Sequence, residues 1–157
     1  KKKAALQKEL GVEKIIFINK NIKKKVMEFT NNEGTNIILD INGLLKEKNI
    51  LGSLSWNGKY LIVGFTNNNI TTIKTNYILI KSIQIFGVRA GEFLRRCSIT
   101  KKKKVIRDIF SLYRKGVFKV ERYRIKPFNK LIYELTKIRD RKSIGKIIIK
   151  TKHLNDI

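Results

Sequence analysis

The stretch NIILDINGLLKEKNILGSLSWNGKYLIVGF, residues 36–65, decides the fold. Ile37 to Leu39 form a short apolar run closing at Asp40, the mark of a strand covered on both faces. Residues 45–55 follow at helical spacing, with Leu51 and Leu54 turned inward. Asn57-Gly58 could make a two-residue hairpin turn, but the helical period before it favours a helix C-terminus with a left-handed glycine. Tyr60 to Phe65 is then the strongest strand in the chain. Short apolar strands alternating with helices of about ten residues imply right-handed βαβ units and a parallel sheet.

The alternation extends in both directions. Residues 1–10 read as a helix, with Leu6 and Leu10 four apart and Gly11 placed to stop it. Ile15 to Ile18 is a second buried strand, and Ile22, Val26 and Phe29 give a helix ended by Asn31, Asn32 and Gly34. Beyond residue 65, Thr66 to Asn69 is a polar loop and Ile83 to Val88 a further buried strand. A helix over 102–115 stops at Gly116, and Phe118 to Val120 make a short strand. Pro127 opens a helix carrying Leu131, Leu135 and Ile138. Ile144 to Lys150 close as a strand before a polar tail. No internal repeat, low-complexity tract or obvious linker interrupts the chain.

With 157 residues, the chain suits one domain of ordinary size and needs no disulfide staples. Its 42% apolar and 31% charged residues exclude collagen, a disulfide scaffold and wholesale disorder. No apolar run approaches the ~18 residues of a membrane span, and no signal-peptide pattern opens the sequence. The single cysteine, Cys97, offers neither a bridge nor a zinc cage, so a reducing, cytoplasmic setting is expected. The sequence opens on lysine rather than methionine, as a processed or incomplete piece would.

The formal charge of +24 would ordinarily point to nucleic acid or an anionic membrane. However, 27 Lys are accompanied by 26 Ile and 14 Asn, all with A/T-rich codons. Selection for nucleic-acid binding has no reason to raise Ile and Asn. Arg, the better bidentate reader of phosphate and guanine, occurs only 9 times. A solvated lysine surface set by codon drift is the plainer reading, and a nucleic-acid partner is not expected. The densest run, Lys101 to Lys104, reads as the exposed first turn of the 102–115 helix, where its charge opposes the macrodipole.

The usual catalytic constellations are missing. The one histidine, His153, lies in the polar tail. Cys97 follows Arg95 and Arg96, which could lower its pKa, but an unpartnered cysteine is more often inert. Zinc-ligand spacing is absent, as are GxGxxG and GxxxxGK[ST]. No catalytic residue and no metal ligand is therefore assigned. Geometry remains: in an open parallel sheet, ligands sit outside the carboxyl ends of strands. Three segments fit: Asp40-Ile41-Asn42-Gly43, Val63-Gly64-Phe65, and Gly87 to Gly91. Their glycines either admit a ligand to the backbone or simply serve turns.

The segments LGSLSWNGKYLIVGF (51–65), NYILIKSIQIFGVRAGEFLRR (76–96) and RKSIGKIII (141–149), with KKAALQKELGVEKII (2–16), resemble the zinc-independent quinone-oxidoreductase branch of the medium-chain dehydrogenase/reductase superfamily. That family carries a "SLAWGGRLVVIGF" strand, an "NLLLLK" segment, a "GVRAGE" strand end and a terminal "GK" strand. The resemblance implies an α/β fold: an incomplete Rossmann-type parallel sheet with flanking helices. Residues 1–91 would be a partial dinucleotide-binding domain, 92–151 a C-terminal segment returning to the substrate domain, and 152–157 a tail. It further implies NADPH as cofactor and hydride transfer to a quinone or another activated carbonyl or enone.

Carried over by position, Lys3 matches a lysine near the adenosine 2′-phosphate, a point charge selecting NADPH. Ile41, Asn42 and Gly43 match the turn beside the cofactor ribose. Val63, Gly64 and Phe65 match the strand end lining the nicotinamide. Val88, Arg89 and Ala90 match the segment whose backbone meets the carboxamide. Family members commonly dimerise through the edge strand, here Ile83 to Val88. The sequence departs from the pattern at Ile18, often tyrosine, at Asn42, usually apolar, and at Thr71 and Lys74, frequently proline.

In the family's 3-2-1-4-5-6 strand order, the runs at 15–18 and 37–39 would be the third and fourth strands. The two strands expected between them would precede residue 1, with the glycine-rich phosphate turn and the substrate domain. A gap two strands wide is therefore expected, and apolar residues of the return segment such as Leu131 and Ile147 would lose their partner. The polypeptide alone is expected to be marginal and inactive. The alternatives are a basic nucleic-acid-binding α/β module and a noncatalytic remnant.

Overall fold

The computed structural model describes residues 2–17, 21–44, 50–66, 72–118 and 123–151. Ile18, residues 45–49 of the expected helix, Thr71, most of the expected 118–120 strand and the 152–157 tail with His153 lie outside the described residues. The chain divides into two compact units, Lys1–Cys97 and Ser98–Ile157. The boundary read from the sequence, 91/92, falls inside a helix that runs to Arg96.

The first unit begins with α1 (Lys2–Glu9) and α2 (Ile22–Phe29). Gly11, at φ +90°, closes α1 as expected: its N–H donates to the Lys8 carbonyl, and the Val12 N–H donates to that of Gln7. Asn31, Asn32 and Gly34 all take positive φ after α2. Thr30 fastens that turn by donating its hydroxyl to the Val26 carbonyl and accepting the Gly34 N–H, each at 2.9 Å.

Three parallel strands follow: β1 (Thr35–Asp40), β2 (Leu54–Ile62) and β3 (Gln84–Gly87), paired in the order β1-β2-β3. The helix α3 (Thr75–Lys81) crosses from β2 to β3. The parallel α/β architecture is thus the expected one.

The helix expected over 45–55 does not hold over its described part. Leu51–Ser53 form one 3-10 turn, and Leu54 already begins β2. Asn57, not Gly58, takes the left-handed conformation, at φ +57°, inside the strand. The β1–β2 register jumps there: Thr35 pairs with Leu54, but Ile37 pairs with Lys59. β2 thus carries a bulge that mimics a helical period. Gly58 is required because a Cβ would stand 2.9 Å from that of Leu54.

Other boundaries also differ. β2 ends at Ile62 rather than Phe65, and β3 is shorter than the expected 83–88. Residues 14–17 carry no ladder. A strand needs a neighbour, and among the described residues β1, β2 and β3 pair only with one another. β1 is covered on one face, not both: Ile38 is half-buried, while its neighbours Ile37 and Leu39 are 55% and 60% exposed.

The core of this unit joins Ile22, Ile50, Leu51, Leu54, Tyr60 and Ile83. Lys81 reaches it from α3 and donates to the Gly52 and Leu54 carbonyls. Burial, and then the nearby charge of Lys23, hold its pKa below the ordinary lysine value.

α4 (Ala90–Arg96) completes the first unit, and α5 (Ile99–Arg114) opens the second. Ser98 caps α5, accepting the Lys101 N–H, so the helix starts three residues before the expected 102 and Lys101 to Lys104 straddle its first two turns. Gly116 ends it at φ +71°. Pro127 closes a strand and also caps the helical stretch that follows, a 3-10 turn at Phe128–Lys130 running straight into α6 (Leu131–Arg139); β4 (Tyr123–Pro127) pairs in parallel with β5 (Lys146–Lys150), and α6 connects them. Tyr123, Ile125 and Pro127 alternate with Arg124 and Lys126, the period of a strand. Glu134, not Leu135 or Ile138, is the buried residue of α6, and Arg124 Nη2 lies 3.9 Å from its carboxylate. Leu131 and Ile147 are half-buried.

Gly34 offers a direct check. It has φ +84°, and a Cβ there would lie 2.8 Å from the Leu54 backbone. Gly34→Ala is expected to destabilise the first unit by at least about 2 kcal/mol in urea unfolding, combining left-handed strain with a backbone clash. A loss below half that value would mean the turn does not fix the entry into β1.

Candidate functional site

The site is built outward from Asp40, the last residue of β1 and only 1% exposed. Its Oδ1 accepts the N–H groups of Asn42 and Gly43, each at 2.9 Å. Its Oδ2 accepts the Leu44 N–H and the Tyr60 hydroxyl, each at 2.6 Å. An unpaired buried carboxylate costs several kcal/mol; four donors on two oxygens replace the water it loses. Gly43 takes φ +82°, and the chain curls so that three consecutive N–H groups face one carboxylate. The sequence marks Asp40 as the end of a strand and the first residue of a candidate ligand segment, with no role of its own. The signal for its role was Tyr60, a polar tip at an inward position of the strongest strand.

Tyr60 is fully buried. Burial foremost, then donation to Asp40 and the charge of that carboxylate, push its pKa well above the ordinary tyrosine value.

Sheet register carries the arrangement sideways. Asp40 pairs with Ile62, and Ile62 with Gly87. The Val63 N–H donates to the Asp40 carbonyl at 2.8 Å, and the Val88 N–H to that of Ile62 at 2.8 Å. Thr66 donates its hydroxyl to Asn42 Oδ1. A Cβ on Gly64 would sit 3.4 Å from the Ile41 carbonyl.

Thus Ile41, Asn42, Gly43, Val63, Gly64, Phe65, Val88, Arg89 and Ala90 stand at one edge, past the carboxyl ends of three neighbouring parallel strands. Ile41, Val63 and Phe65 present exposed apolar side chains there. This register does not extend to Lys3, which is exposed on α1. Arg95 and Arg96, read as acting on Cys97, both grip Glu92, with contacts of 2.7 and 2.6 Å. Those contacts hold the Glu92 carboxyl below its usual range.

Two hollows of about 530 and 410 Å³ lie elsewhere, along Lys14, Ile15, Ile16 and Phe17. Among the described residues, no group of three His, Cys, Asp or Glu could hold a metal ion, and no helix is long and apolar enough to cross a membrane.

A family model described as zinc-binding dehydrogenase matches residues 1–108. The chain belongs to this family, within the medium-chain dehydrogenase/reductase superfamily. It is 28% identical over 160 residues to a quinone oxidoreductase-like protein 2 homolog of Nematostella vectensis, covering 97% of this chain and 42% of that protein. It is 24% identical to quinone oxidoreductase-like protein 2 of Rattus norvegicus, covering 84% of this chain and 37% of that protein. The chain therefore spans about two fifths of the length of these relatives.

Among solved structures, a quinone oxidoreductase of Pseudomonas syringae superposes with TM-score 0.79 at 18% identity, over 96% of this chain and 46% of that one. A mycobacterial protein solved with NADPH superposes with TM-score 0.82 at 16% identity, over 96% of this chain and 47% of that one. These likenesses bear out the Rossmann-type α/β fold.

The buried phenol has a pH signature. Its raised folded-state pKa means that its contribution is complete below the ordinary tyrosine value of about 10 and is lost as pH rises from there toward the folded value. Thermal unfolding followed by circular dichroism between pH 8 and 11 should show stability falling above about pH 10, with a shallower fall in Tyr60→Phe. Parallel curves for the two proteins would contradict the burial of this hydroxyl.

Proposed function

We infer that this chain is the cofactor-facing part of an NADPH-dependent oxidoreductase of the quinone-reductase type. The observation that carries the reading is the edge where β1, β2 and β3 end side by side, with the 41–43 turn drawn onto Asp40. Membership of a dehydrogenase family supports it, as do relatives called quinone oxidoreductase-like.

The residues present fit one end of a dinucleotide. Ile41, Asn42 and Gly43 offer a ribose a turn whose backbone is already fixed. Val63, Gly64 and Phe65 offer a flat ring an apolar strand end. Val88, Arg89 and Ala90 offer backbone groups for a carboxamide. At the opposite, adenosine end, apart from this edge, we assign Lys3 to supply positive charge for a 2′-phosphate, favouring NADPH over NADH. Bound there, the cofactor would supply hydride to a quinone or another activated enone or carbonyl; the protein supplies placement and exclusion of water.

No GxGxxG turn occurs in this sequence to hold the pyrophosphate, so most of the anchoring for the phosphates lies outside these residues. The chain alone is accordingly expected to bind weakly and not to turn over. β3, at one end of the sheet order, is the edge we assign to a homodimer.

Titration of the 157-residue chain with millimolar NADPH, followed by amide NMR, is expected to shift signals of residues 41–43, 63–65 and 88–90 in unison, without NADPH oxidation when a quinone is added. Shifts confined to other residues would sink the cofactor assignment. Micromolar binding would overturn the view that the chain needs further anchoring. Sedimentation should show self-association lost in Phe86→Lys, on the exposed edge strand; an unchanged profile would remove the dimer assignment.

A further inference from the structure

We propose that Asp40 is a positioning residue that locks two strand ends into one rigid cofactor-facing piece. This rests on the reading of that edge as a nicotinamide-cofactor site. Asp40 acts in two directions at once. Its side chain binds the N–H groups of Asn42, Gly43 and Leu44, which fixes the turn after β1. Its main-chain carbonyl accepts from Val63, at 2.8 Å, and from Gly64, at 3.4 Å, which fixes the segment after β2. The Thr66 hydroxyl, donated to Asn42 Oδ1, ties the two segments again at their outer ends.

The residue is itself immobilised. It is 1% exposed, and Tyr60, itself fully buried, donates to Oδ2 from the neighbouring strand β2. Turn and strand end are therefore joined at both ends: the turn cannot shift without breaking charge-assisted hydrogen bonds to a buried carboxylate, and the strand end cannot shift without breaking the main-chain bonds from Val63 and Gly64 to the same residue. A ribose on one segment and an aromatic ring on the other would then meet at a spacing set before the ligand arrives. That is the preorganisation on which hydride transfer depends.

Amide hydrogen exchange and NADPH titration by NMR test this on the same chain. Asp40→Asn keeps size and removes the charge. It should speed exchange at Asn42, Gly43 and Leu44 by about tenfold or more and weaken NADPH-induced shifts at both segments. Thr66→Val, at an exposed position, keeps the fold if Asp40→Asn does not; it should speed exchange at Asn42 and Gly43 by about threefold. Leu54→Val destabilises the core at the far end of β2 and should leave both readouts unchanged.

The proposal is overturned if the two site variants leave these amides as protected as before. It also falls if they lose protection while NADPH affinity stays within about twofold, or if Leu54→Val reproduces their effects. Absence of NADPH-induced shifts in the unaltered chain would defeat the cofactor reading instead, and the exchange data would still decide whether Asp40 holds the two ends together.

Discussion

A carboxylate out of reach of water governs the first unit. Asp40 must be satisfied where it is, and the donors that satisfy it dictate the local chain. Three successive backbone N–H groups curl toward it, which demands a left-handed Gly43. A tyrosine hydroxyl must arrive from the next strand, which fixes Tyr60 inward and hence the phase of β2. Because side chains alternate along a strand, that phase turns Lys59 outward and aligns Ile62 between Asp40 and Gly87. The edge is thus a by-product of satisfying one buried carboxylate with hydrogen-bond donors.

Much of this was legible in the amino acids. The apolar runs at 37–39, 60–65 and 83–88 located three parallel strands, because short β-rich runs between helical stretches have few other solutions. Gly11, Gly34 and Gly116 marked real left-handed turns. Nine of the ten residues assigned to the site fall together because register alone aligns them. Over its described residues the helix expected at 45–55 gives way to a 3-10 turn and then to β2, because a bulge of surplus residues mimics a helical repeat, with Leu51 and Leu54 three apart in either case. Pro127 serves two roles at once, as the last residue of a strand on its sheet's edge and as the residue that precedes a helical stretch. The sequence places Asp40 in a candidate ligand segment but gives it no role of its own, because a carboxylate at a strand end looks like an ordinary turn former until its burial is known.

The basic charge finds no concentrated use among the described residues. Glu92 engages two arginines, and Lys81 is spent on backbone carbonyls inside the unit. The run at Lys101 to Lys104 is distributed around a capped helix rather than gathered on one face, with Lys102 half-buried and the others exposed. That pattern suits a lysine surplus accumulated wherever solvent tolerates it, and it leaves the fold's polarity to a few acidic residues.

The bulge in β2 has an evolutionary corollary. Strand length in a sheet changes comfortably only in pairs of residues, since an odd change swaps inside for outside. Here the odd surplus sits upstream of Lys59, absorbed where Asn57 reverses its backbone and Gly58 leaves room for Leu54. Residues 54–58 thus form a compensator: losing or gaining one residue there could be taken up locally. The same change after Lys59 would present the Tyr60 ring to solvent and a lysine to the interior. Length variation among related chains should therefore collect before that point and be purged beyond it.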